Sequence, residues 1–206
     1  MRHPSHHSAF APVADDGGNS APAGPVLYTM DPGHTEVIAT WNHFGFSTPG
    51  ATFYPVTGTL IYDADHPEHS SVEATIPVES LHTTVAAQDE HLRSAEFFDA
   101  AQFPEIHFRS TAVERGAKQD RLKVTGELTV HGVTKSVTLD VTVNKVGYHQ
   151  LYQAQAAGFD AVLQLNRSEF GIGAAVPMVS DRIDLRITAE AVESKAWAAL
   201  QASRSA

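Results

Sequence analysis

Apolar and polar residues alternate along several stretches of this chain, and that two-residue period restricts its fold more than any other feature. From Ser71 onward, Val72, Ala74, Ile76 and Val78 share one parity, while Ser71, Glu73, Thr75 and Glu79 hold the other. Successive side chains of a strand point to opposite faces, so this is the pattern of a half-buried strand. It returns in Leu122 to Val130, in Val137 to Val143, in Phe159 to Leu165 and in Ile183 to Ala189. Weaker copies over 37–43, 56–62 and 106–113 bring the predicted number of strands to about eight.

One junction tests the register. Only His131 and Gly132 separate the run ending at Val130 from the one beginning at Val133, the length of a two-residue hairpin with glycine at a positive φ. Such a loop pairs 130 with 133, 126 with 137, 124 with 139 and 122 with 141, which puts both apolar sets on one face.

Helical segments are few. Val85 to Ala101 is predicted as a helix capped by Thr83 or Thr84 and stopped by Pro104, a turn is expected at Ser168 to Phe170, and the C-terminus is Ala-rich around Trp197. Long antiparallel strands with so little helix must cover themselves, as a barrel or a sandwich. Strands of roughly ten to fourteen residues span about 33 to 45 Å, longer than most sandwich strands, and an eight-stranded barrel has room for one slender ligand. The barrel is therefore favoured. The alternative is a cavity-free β-sandwich serving as an interaction module, its interior filled by Trp41, Phe46, Phe53, Phe108 and Phe159.

Composition narrows the function classes. Lys plus Arg number 14 against 24 Asp plus Glu, a formal net charge of −10 that argues against nucleic acid as a partner. Cysteine is absent, which removes disulfides, thiol catalysis and thiolate metal sites. No apolar run approaches the ~18 residues of a membrane-spanning helix, and residues 1–26, rich in Pro, Gly, Ser and Asp, lack the apolar stretch of a secretory signal. The expected layout is a disordered tail over 1–26, a barrel domain over 27–193 and a C-terminal tail over 194–206.

The polar clusters do not favour an enzyme. Asp89 and His91, in "DEHLRSAEFF" (89–98), would lie about 200° apart around a helix, poorly placed to share a metal or a proton. The zinc motif H-E-x-x-H and the elbow G-x-S-x-G are both missing, and Gly171-Ile-Gly173 is not a dinucleotide loop. His66 and His69 could hold an adventitious metal on an exposed turn. A metal-dependent enzyme is the weakest alternative; no catalytic residue, metal ligand or cofactor is expected.

Two polar residues are candidates for the interior. His43 shares parity with Val37, Ala39 and Trp41, and is either a headgroup contact or a core histidine satisfied by a backbone carbonyl. Arg167 follows a strand with odd-numbered inward residues and needs an acceptor or a carboxylate, for which Asp89 is the candidate partner.

Seven stretches resemble, in order and spacing, the YceI-like polyisoprenoid-binding family: "YTMDPGHTEV" (28–37), "WNHFGFST" (41–48), "GTLIYD" (58–63), "LHTTVAAQDEHLRSAEFFDAAQFPEIHFRST" (81–111), "VTGELTVHGVTKSVTLDV" (124–141), "LNRSEFGI" (165–172) and "VSDRIDLRITAEAV" (179–192). The resemblance implies an all-β, eight-stranded antiparallel lipocalin-like barrel with a short helical segment near one opening. It further implies that the barrel carries or stores a long-chain isoprenoid, such as a polyprenyl quinone or its precursor, or a fatty-acyl amphiphile. The bacterial periplasm is the expected compartment, with the cytoplasm as the alternative. A homodimer is possible, with Ile61 or Val113 as outward contacts. The candidate ligand-lining residues are Trp41, His43, Phe46, Phe53, Leu92, Phe97, Phe98, Phe103, Phe108, Phe159, Leu163, Arg167, Phe170 and Met178.

Overall fold

The computed structural model describes residues 21–204; the predicted N-terminal tail falls mostly outside them. Eleven strand segments and two short helices follow in the order β1 (Val26–Met30), β2 (Glu36–Thr40), β3 (Gly50–Phe53), β4 (Thr57–Tyr62), β5 (Ser71–Pro77), β6 (Leu81–His82), α1 (Ala86–Arg93), β7 (Glu105–Arg115), β8 (Arg121–Val130), β9 (Val133–His149), β10 (Ala154–Asn166), β11 (Arg182–Glu193) and α2 (Ser194–Arg204).

All neighbouring pairs are antiparallel. The first six segments are three strands, each broken in two: β11 pairs with β1 through Ala191 to Glu193 and with β2 through Asp184 to Thr188, β1 pairs with β4 while β2 pairs with β3, and β5 and β6 add to β4 and β3. Counted this way the sheet is a closed eight-stranded barrel. The breaks fall at Asp31 to Thr35, at the cis Tyr54–Pro55 bond and at a single 3-10 turn over Val78–Ser80. Among the described residues no helix is long and apolar enough to cross a membrane.

The β8–β9 hairpin has the expected register, with Val130 opposite Val133, Gly126 opposite Val137 and Leu122 opposite Val141. Leu122, Val124, Leu128, Val130, Leu139 and Val141 are all buried, while Lys123, Glu127 and Asp140 face water. His131 and Gly132 both take positive φ, 51° and 72°, as a turn matching the twist of its strands requires.

Three expectations about elements need correction. The helix ends at Arg93 instead of Ala101, because Ser94 turns extended and returns its N–H and its hydroxyl to the His91 carbonyl. Its N-cap residue is Val85 rather than a threonine. Instead, the Thr83 hydroxyl and N–H both donate to the Asp89 carboxylate, at 2.7 and 2.6 Å. Val113 is 7% exposed and points inward, since a bulge between Ser110 and Ala112 shifts the register of β7 against β8. It is therefore no outward contact for a dimer.

The segment after β11 forms α2, which lies on the outside of the barrel. Ala196, Trp197 and Leu200 pack against Tyr152, Ala154, Ala156 and Val192. Alanines on the outer face of β10 make room for this helix.

A β-carbon at position 132 would come within 2.5 Å of the Phe103 ring as well as straining the positive φ. Gly132→Ala is expected to cost about 1 to 3 kcal/mol, read as a lower urea midpoint at unchanged m-value.

Candidate functional site

The inward face of the barrel does not fill its own interior. A continuous cavity of about 450 Å³ runs through it, within the range of pockets that enclose most of a small amphiphile. Strand alternation supplies its wall: Val124 and Leu128 from β8, Leu139 and Val141 from β9, Ala161, Leu163 and Leu165 from β10, and Ile183, Leu185 and Ile187 from β11. Its polar lining consists of Thr35, His43, Tyr62, Ser70, Ser71, Gln88, His91 and Arg167. A tunnel walled this way rewards hydrocarbon and offers few directional contacts.

Eleven of the sequence candidates line this tunnel: Trp41, His43, Phe53, Leu92, Phe97, Phe98, Phe108, Phe159, Leu163, Arg167 and Phe170. Phe97 and Phe98 arrive from the turn after α1, with Phe98 edge-on to Phe53 at 5.8 Å, and not from a helical stripe. Three candidates do not line it. Phe103 packs on the β8–β9 turn, 4.8 Å from the His131 ring. Phe46 is 92% exposed and Met178 55% exposed, since both lie in loops beyond the strand ends, where alternation no longer sets direction. Gln88 and His91 were missed as lining, because the polar side of α1 read as solvated.

His43 is exposed at the rim, although it lines the tunnel. β2 ends at Thr40, so parity with Val37 no longer places it; isolated bridges to Ser47 and Val179 do. Its backbone N–H donates to the Ser47 carbonyl at 2.9 Å.

Arg167 is buried at 7% exposure in the 3-10 turn Arg167–Phe170, and Asp89 is not its partner. Its Nε, Nη1 and Nη2 donate to the carbonyls of Ser180, Ile172 and Val179 at 3.0, 2.9 and 3.0 Å. The guanidinium thus pins the loop that leads from this turn back to β11, at the rim of the tunnel. Burial lowers its pKa and Asp181 opposes that shift. Asp181 itself accepts from the Ser168 hydroxyl and N–H, which lower its pKa.

A second polar group lies at the opposite end, in the break between β1 and β2. Asp31 is 4% exposed and accepts from the Gly33 N–H, His34 Nδ1 and the Tyr152 hydroxyl. Burial pushes its carboxyl up, but these hydrogen bonds outweigh burial and hold it below the usual carboxylate range. Hydrogen bonding to Asp31 raises His34, while burial first and then Asp31 push Tyr152 up to about 12. Asp31, His34 and Glu190 bring one ligand atom each within 4.8 Å of one another. The Asp31 oxygens already hold the chain turn and the Tyr152 ring, which stacks on His149 at 4.5 Å. The group fits a structural clamp that ties the β1–β2 break to the start of β10. The rings of His66 and His69, the pair considered for an adventitious metal, stand 5.4 Å apart between centroids, with Glu68 and Asp63 beside them.

A YceI-like domain profile matches residues 28–191. The chain belongs to the YceI-like family. It is 38% identical over 162 residues, 79% of the chain and 83% of the relative, to a UPF0312 protein of Pseudomonas syringae pv. tomato. It is 36% identical over the same length to Protein YceI of Salmonella arizonae. Among solved structures, Burkholderia cenocepacia BcnA superposes with a TM-score of 0.71 at 24% identity, over 78% of this chain and 98% of that one. A Saccharophagus degradans domain described as polyisoprenoid-binding and implicated in plant cell wall breakdown superposes with a TM-score of 0.63 at 10% identity, over 82% and 99%. The last two likenesses concern the fold.

Two outcomes follow. Arg167→Met leaves three carbonyls without their donor and is expected to cost about 3 kcal/mol in chemical denaturation, with Arg167→Lys intermediate. His34 has a raised pKa, so its charge contributes fully below its unfolded value near 6.5 and loses that contribution as pH rises through the folded value. The stability gap between wild type and His34→Gln should therefore be largest near pH 5 and narrow towards pH 9; at this exposure it stays below about 1 kcal/mol.

Proposed function

We propose that this YceI-like protein binds a long-chain isoprenoid inside its barrel and shields the chain from water as a carrier or store. The observation that supports this best is the unfilled apolar tunnel within a closed sheet. A packed sandwich would have had its aromatic residues interlocked across two layers. Here Phe108, Phe159 and Phe53 instead stand around open space.

The energetics favour a long chain over a decorated headgroup. Burial is worth about 0.8 kcal/mol per methylene, so each five-carbon unit contributes about 4 kcal/mol before ordering costs. A few units suffice for tight binding. Polar groups on the lining belong to the ends: Arg167, His43 and His91 at one, Ser70, Ser71 and Tyr62 towards the other. A quinone or phenol headgroup would find hydrogen-bond donors there, and a fatty-acyl chain is the second ligand class that the same wall accepts. Membership of the YceI-like family, and a fold shared with a domain described as polyisoprenoid-binding, support the same reading. Residence in the periplasm is part of the same proposal, checked by fractionation of the native host.

Two measurements test the reading. Organic extraction of purified protein followed by mass spectrometry should release a polyprenyl lipid near one equivalent; an empty extract together with no uptake of added polyprenyl quinone overturns it. Ala161→Trp places an indole across the tunnel from β10. It should weaken polyprenyl quinone binding at least 100-fold and leave the far-ultraviolet spectrum unchanged.

A further inference from the structure

The loops that carry Phe46 and Met178 past the strand ends meet each other. The Phe44 N–H donates to the Met178 carbonyl at 2.8 Å, Ser180 N–H donates to the Asn42 carbonyl at 2.9 Å, and Asn42 N–H donates to Ser180 Oγ at 2.9 Å. Within the first loop, Asn42 Oδ1 accepts from Gly45 N–H at 2.7 Å, and Phe44 and Gly45 take positive φ of 54° and 76°. The result is a braced tip, and it presents its apolar side chains outward: Phe44 is 49% exposed, Phe46 92% and Met178 55%. Isolated exposed apolar residues are ordinary, but three from two cross-linked loops form a patch.

Two further observations say what the patch meets. Its residues lie next to or near tunnel-lining ones in sequence: His43 directly precedes Phe44, and Val179 directly follows Met178. The tip is thus the rim of the tunnel. The chain also carries no Asp, Glu, Lys or Arg from Val37 to Tyr62 or from Phe170 to Ser180, although its net charge is −10. The charged residues just behind the tip are engaged, Asp181 by Ser168 and Arg182 by Asp184 at 2.8 Å. An uncharged aromatic tip around an apolar opening suits the interface of a bilayer. A second copy suits it less: three side chains fall short of the area of a stable dimer, and a partner seated there would cover the opening.

We infer that Phe44, Phe46 and Met178 form a membrane-docking tip that seats the tunnel mouth on a lipid surface, so that an isoprenoid passes between bilayer and barrel without crossing water. This rests on the proposed ligand class. Across the same opening, α1 and the turn after it carry Glu90 and Glu96, the latter paired with His91 at 2.9 Å. With the net negative charge, they set the preferred surface: zwitterionic, with anionic lipid weakening attachment at low salt.

The test uses the full chain and phosphatidylcholine vesicles. Wild type should co-sediment with them, and less so at low salt when part of the lipid is phosphatidylglycerol. Phe46→Ser should reduce partition at least tenfold, while uptake of polyprenyl quinone from detergent and the thermal midpoint stay unchanged. In Phe46→Trp, the emission of the added indole should shift to the blue when vesicles are present. Equal partition of wild type and Phe46→Ser, or no blue shift, overturns the docking tip. So does a change from dimer to monomer on Phe46→Ser, seen by sedimentation velocity, without a change in partition. Failure of quinone uptake from detergent in wild type would instead overturn the ligand class and leave the vesicle result standing on its own.

Discussion

A sheet that closes on itself has its width set by the number of strands and the stagger of their pairing, before any side chain is considered. With eight strands the bore is narrow enough for large inward side chains to fill and wide enough to hold one slender ligand where they are smaller. In this molecule β11 meets β1 to complete the ring, and Val, Leu, Ile and Ala supply most of the wall. The void is therefore a consequence of closure combined with modest inward residues. Its apolar character comes from the same alternation that keeps Lys123, Glu127 and Asp140 on the outside.

Closure also shapes the ends. Three of the eight strands are broken, and each break releases backbone that must be held in other ways. Asp31 gathers Gly33, His34 and Tyr152 at one break, and at the other end of the barrel Arg167 gathers three carbonyls of the returning loop. Both are polar residues buried because they satisfy the chain, not because they face chemistry. The Arg167 guanidinium is taken up by three backbone carbonyls, so its burial holds the loop in place at the tunnel rim.

Most of the fold was legible because period two survives wherever a strand is regular. The eight strands, the His131-Gly132 turn and the inward set on β8 to β11 all followed from it. What parity could not give were the breaks, the bulge at Ser110 that turns Val113 inward, and everything beyond a strand end. Phe46 and Met178 were expected inside and are outside for that reason, and His43 reaches the rim through bridges rather than as part of a strand. The clamp at Asp31 escaped notice because its members lie far apart in sequence: His149, Tyr152 and Glu190 join it only through pairing of β10 with β9 and β11. The motif "MDPGH" was the only local hint, and it reads as an ordinary turn.

A hollow apolar bore makes affinity a function of buried chain length, which separates a tunnel from any surface site for a headgroup. Titration calorimetry with one quinone headgroup carrying one, two, three or four prenyl units measures this directly. The account predicts that each added unit tightens binding at least tenfold until the tunnel is filled, after which the constant levels off. Affinity that is the same for one unit and for four would contradict it.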